Sequence, residues 1–167
     1  MKKTFLSILR RSVLGMVAAT LALPAVAAEP KKLLLVTVTT GFRHSSIPTA
    51  EKVIQQLAKD SGAFTVDLVQ QPPDKNNPNF KEDVKKVLEK LSPANLARYD
   101  GVIFANTTGD LPLPDRDEFL KWIESGKAFI GMHSASDTFH GFRPFIEMLG
   151  GEFQGHGAQA TVDCLNE

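Results

Sequence analysis

The run Leu33-Leu34-Leu35-Val36-Thr37-Val38 constrains the fold more than any other feature of the sequence. It has no polar alternation, so it predicts a strand buried on both faces, which is the habit of a parallel sheet covered by helices. The pattern then repeats. Pro48 to Asp60 predicts a helix with Pro48 in its first turn and Val53, Ile54, Leu57 and Ala58 on one side, stopped by Ser61-Gly62. Phe64 to Val69 alternates and predicts a second strand, less buried on one face. Pro72 to Phe80 is polar and rich in Pro and Asn, a loop. Val84, Val87, Leu88 and Leu91 fall at helical spacing. Asp100 to Asn106 predicts a third strand. Asp115 to Ser125 predicts a helix burying Phe119, Trp122 and Ile123, with Gly126 as its C-cap. Ala128 to Met132 predicts a fourth strand, Ser134 to Gly141 a polar loop, and Phe142 to Leu149 a short helix closed by Gly150-Gly151. Ala160 to Leu165 reads as the start of a fifth strand. The expected class is α/β, a three-layer sandwich around a mostly parallel sheet.

Residues 1–28 read as an export segment rather than as part of that fold. Lys2, Lys3, Arg10 and Arg11 give a positive start, Val13 to Leu23 is apolar but too short to span a bilayer, and Ala25-Val26-Ala27-Ala28 supplies small residues for cleavage. Leu9-Arg10-Arg11-Ser12 also resembles a twin-arginine motif, which leaves the general and twin-arginine routes both open. Cleavage leaves residues 29–167 with 15 basic and 19 acidic residues, a net charge of −4. Such a surface argues against nucleic acid as a partner. The expected location is the periplasm or exterior, with no membrane attachment after cleavage. A single cysteine, Cys164, excludes an internal disulfide and sits in an expected strand, so it reads as a core residue.

Ligands of open parallel sheets bind beyond the carboxyl ends of the strands. All four histidines fall near such loops: His44 after the first strand, His133 at the end of the fourth, His140 and His156 beyond it. Two or three imidazoles in one cleft can do acid–base work or hold a metal; as a plainer alternative they hydrogen-bond backbone in loops. No pair has helical ligand spacing, and no metal is assigned. Arg43 can hold an anion or sugar hydroxyls, or pair with Asp137. Asp137 can orient an imidazole or cap a turn. Thr107 and Thr108 offer hydroxyls at the end of the third strand. The dinucleotide, phosphate-loop and G-x-S-x-G signatures are all absent from the sequence, and no cofactor is named.

Thr40-Gly41-Phe42-Arg43-His44, Tyr99 to Gly109, Gly131 to Thr138 and Gly150 to His156 resemble, in order, the blocks of the ThuA-like (trehalose utilisation) family. The resemblance covers nearly all of residues 29–167 and implies a flavodoxin-like sheet of the class I glutamine amidotransferase type. It further implies a role in disaccharide or keto-sugar catabolism, with a small carbohydrate derivative as partner. Site residues follow on the same footing. His133, His156 and Asp137 would be catalytic, and Arg43, His44, Thr107 and Thr108 would bind substrate. A non-catalytic carbohydrate-binding or scaffold module is the alternative, and self-association is left open. His133 stands where amidotransferases carry the nucleophilic cysteine, so glutaminase activity is not expected. The family's later His-Pro and Asp-Glu-Tyr-like segments do not follow, so the domain is expected to be C-terminally truncated, or else a reduced variant completed by pairing with another chain. Mass spectrometry of exported protein is expected to show a start after Ala27 or Ala28; an intact Met1 would refute the export reading.

Overall fold

The computed structural model describes residues 29–158 together with Thr161 and Asp163. The expected export segment and Cys164 lie outside the described residues. So does the expected fifth strand, apart from Thr161 and Asp163, neither of which is in a regular element.

Four parallel strands form the sheet: β1 (Lys31–Val36), β2 (Phe64–Val69), β3 (Gly101–Ala105) and β4 (Ala128–Met132), in the order β2-β1-β3-β4. Register is fixed by Val36 opposite both Val69 and Phe104, and Ala105 opposite Met132. The strands alternate between two apolar faces. Leu34, Val36, Val102 and Phe104 point into the larger core, and Leu33, Leu35, Ile103 and Ala105 into the smaller. This double burial is what the unbroken run at Leu33 requires.

Helix α1 (Ile47–Ser61) covers the smaller core with Ile54, and Gly62 closes it in a left-handed conformation, φ 61°. Helices α2 (Phe80–Leu88), α3 (Pro93–Leu96), α4 (Arg116–Glu124) and α5 (Arg143–Leu149) supply or adjoin the larger core. Phe104 is its hub, with ring centroids of Phe129, Phe119, Phe139 and Phe145 at 5.2, 5.7, 6.2 and 6.2 Å. Asp115 caps α4, its side chain accepting from the Glu118 N–H.

Three local expectations are corrected. Val53 and Leu57 are about half exposed, because the buried stripe of α1 is narrower and centred on Ile54 and Ala58. In α4, Leu120 is buried beside Phe119, whose ring stacks on Phe104, while Trp122 and Ile123 are only half-buried at the edge of that core. The amphipathic pattern ending at Leu91 tightens into a 3-10 turn, Glu89–Leu91, and a short unexpected helix follows at Pro93, whose ring suits a first helical turn.

The loops after β1 and β3 are joined backbone to backbone. Thr108 O accepts from Thr40 N (2.9 Å) and Gly41 N (3.4 Å), and Thr108 Oγ1 donates to Phe42 O (2.7 Å). Gly109 makes this possible. Its φ is 76°, and a Cβ there would come within 2.5 Å of Thr40 Oγ1 and 2.6 Å of Gly41 N.

Tyr99, the single tyrosine, ties the start of β3 to β2 by donating to Asp67 Oδ2 at 2.6 Å. Burial first, then this hydrogen bond, raises its pKa to about 12. Raised above the unfolded value near 10, it contributes stability that is full below that value and fades as pH climbs toward 12. An absorbance titration reads this one phenol alone. The midpoint is expected well above 10 and should drop in Asp67→Asn.

Candidate functional site

Strand β4 ends at Met132, and His133 turns the chain with φ 54° into a 3-10 turn, His133–Asp137. A non-glycine residue in that conformation costs about 1–2 kcal/mol, which the surrounding turn must hold. The strain throws the imidazole over the carboxyl edge of the sheet. Gly131 lies beneath, where a Cβ would press on Ala135 and Leu149 at 3.2 Å. From the other side, the loop after β1 brings Phe42 and His44 to the same point. The rings of Phe42 and His44 meet edge-on at 4.8 Å, and those of His44 and His133 at 4.4 Å.

A cavity of about 370 Å3 opens there, walled by Phe42, His44, His133, Asp137, Phe153 and His156, with Ser134 and Ser136 beside them. That volume suits a small molecule. A larger and more open depression, about 600 Å3, lies along α1 and β2; its Glu51 is already bound by Thr37 Oγ1 and Gln70 Nε2, both at 2.6 Å, while Lys52 and Lys59 lie exposed on the helix flank.

His133 Nε2 lies 3.3 Å from His44 Nδ1, so one ring donates and the other accepts. Partial burial, first, and the facing His133 lower the pKa of His44, against a smaller upward pull from Asp137. The carboxylate of Asp137 accepts from His140 Nε2 at 2.6 Å, so the ring it orients is His140, outside the cavity wall. Its carbonyl takes the Gly109 N–H at 2.7 Å.

The far wall is the segment 151–157. Phe153 N donates to Ser136 O (2.9 Å), and Glu152 divides its oxygens between Gly141 N and Gln154 Nε2, both at 2.6 Å. His156 Nδ1 donates to Gly157 O at 2.9 Å. His44, His133, His156 and Asp137 are therefore gathered around one cavity. Arg43, Thr107 and Thr108 are not. Arg43 donates to Thr37 O at 3.1 Å rather than pairing with Asp137. Thr107 is buried and bonded to Thr138 Oγ1 at 2.8 Å, and Thr108 is spent on Phe42 O. Their hydroxyls hold loops together. Phe42 and Phe153 were missed as walls, although an exposed aromatic beside Arg43-His44 and another between Glu152 and Gln154 were the available signals. Among the described residues no three metal-donor side chains converge.

A family model described as trehalose utilisation (ThuA) matches residues 32–167. The chain belongs to the ThuA family. No curated protein matches it. Among solved structures, a ThuA-like protein from Bacteroides uniformis ATCC 8492 is 21% identical with a TM-score of 0.51, covering 77% of this chain. The chain spans 48% of that protein's length, so the likeness speaks for the α/β fold alone.

The paired imidazoles give a direct measurement. By NMR, His44 is expected to titrate below the ordinary histidine value of about 6.5. His133→Ala should raise its midpoint and Asp137→Asn should lower it further. A midpoint indifferent to both changes would show that the rings do not sense each other.

Proposed function

We propose that the cavity binds a carbohydrate derivative and that His133, working with His44, exchanges a proton with it. The observation that carries the reading is the 3.3 Å contact between the two rings inside an aromatic-walled cavity. A neutral imidazole pair sharing one N–H···N bond has two outer nitrogens of opposite kind. If His133 Nε2 donates to His44 Nδ1, then His44 Nε2 carries a hydrogen and His133 Nδ1 a lone pair. The reverse tautomers swap these roles. Either way the pair offers an acid and a base together, the need of a reaction that moves a proton next to a carbonyl. The lowered pKa of His44 keeps that ring neutral at neutral pH.

Phe42 and Phe153 supply flat apolar faces for the C–H face of a pyranose, while Ser136 and Asp137 can meet its hydroxyls. Family membership, described as trehalose utilisation, points to the same class of ligand. Export by the segment 1–28 and absence of glutaminase activity belong to this proposal. The strained turn after β4 bears an imidazole, which cannot form a thioester. The exposure of Phe42, 69%, favours a second reading, a module that holds sugar without turning it over.

The two readings separate in deuterated water with trehalose and its 3-keto derivative as probes. Saturation-transfer NMR is expected to show either sugar bound, and the keto sugar should exchange hydrogen beside its carbonyl. His133→Ala should retain binding but slow exchange about 100-fold or more. Binding with no exchange in the unaltered protein would leave the module; binding of neither sugar would end the carbohydrate reading.

A further inference from the structure

A second cavity, about 360 Å3, lies on the other side of the joined loops. Its floor is Thr39-Thr40-Gly41 after β1 and Asp110 after β3, and its outer wall is the start of α2 with the loop before it. The strand order β2-β1-β3-β4 places this cavity at a particular point. From β1 the chain runs by α1 to β2, and from β3 it runs by α4 to β4 on the opposite side. The two connections diverge between β1 and β3, the crevice where open parallel sheets bind ligands.

The charged lining is mostly basic. Lys75, Lys81 and Lys85 surround it, with Phe80, Val84 and Pro112 as apolar wall. Its acidic member, Asp110, is bound by Arg116 at 2.5 Å. Lys85 pairs with Glu82 at 3.0 Å, and Asp83 accepts from Asn77 Nδ2 at 3.2 Å. Lys75 and Lys81 have no carboxylate partner among the described residues. Two uncommitted ammonium groups therefore border an apolar-sided crevice in a chain whose residues 29–167 are net acidic. An evenly solvated helix flank would instead mix both signs, as the depression along α1 does with Glu51, Lys52 and Lys59.

We propose that this crevice binds a small organic oxyanion of about sugar size, with its phosphate or carboxylate on Lys75 and Lys81 and its body against Phe80, Val84 and Pro112. The assignment does not rest on the histidine cavity, because the joined backbones of Thr40, Gly41, Thr108 and Gly109 stand between the two.

The test is calorimetric titration of the full chain with glucose 6-phosphate, citrate and unmodified glucose. Saturable binding of at least one anion is expected, with glucose failing to compete. Tighter binding of glucose 6-phosphate assigns a phosphate ester, and tighter binding of citrate a carboxylate. The double variant Lys75→Gln, Lys81→Gln changes only exposed side chains and should fold normally, which circular dichroism checks. Its affinity should fall about tenfold or more, while His133→Ala should leave affinity unchanged. The inference is overturned if neither anion binds saturably at millimolar concentration, if the lysine variant binds as well as the parent, or if His133→Ala weakens binding equally.

Discussion

The joining of the loops after β1 and β3 organises everything at the carboxyl edge of this sheet. Thr108 O accepts two N–H groups from the facing loop, and Thr108 Oγ1 fixes the Phe42 carbonyl. The next residue, Gly109, takes the Asp137 carbonyl, and Thr107 bonds to Thr138. Three loops from three strands are thereby tied through consecutive residues. The buried hydroxyls of Thr107 and Thr108 both find partners in these ties, whereas Ser134 Oγ in the turn after β4 has none among the described residues; leaving a buried polar group unpaired costs about 1–3 kcal/mol. His44 and His133 meet because their loops are held in this way, although neither takes part in the ties.

That arrangement explains which parts of the site were legible in the sequence. β1 and β3 were readable because burial on both faces leaves uninterrupted apolar runs; the half-exposed β4 is apolar in sequence all the same, and Ala128–Met132 was located residue for residue. The gathering of His44 and His133 followed from the parallel-sheet rule, since both lie at strand ends, and His156 reaches them from a Gly-flanked loop after α5. Thr107 and Thr108 share that location yet are consumed internally. Sequence gives the residue type and the end of the strand, but not which hydroxyl another loop will claim. Likewise Asp137 was a fair candidate to orient an imidazole, but the choice of His140 over His133 depends on the left-handed turn at His133. The widths of the buried stripes on α1 and α4 were misjudged for a similar reason. A helical wheel sets the spacing of apolar residues, whereas the rotation of the helix is set by partners such as Phe104.

The two walls of the histidine cavity are anchored differently. His44 and His133 sit on loops continuous with a parallel ladder and a fully buried core. Phe153 and His156 hang from one backbone bond to Ser136 and from the Glu152 carboxylate, which accepts from Gly141 N and lies 3.6 Å from His140 Nδ1. Local opening is cheapest where hydrogen bonds are exposed and apolar contacts few. The segment 151–157 can therefore lift while the sheet and its imidazole pair stay put. For a ligand of the proposed kind, entry and exit would then depend on this one short stretch, separately from the stability of the domain. A molecule too large to pass beneath a raised Phe153 would be refused on size before the chemistry of the two histidines is consulted.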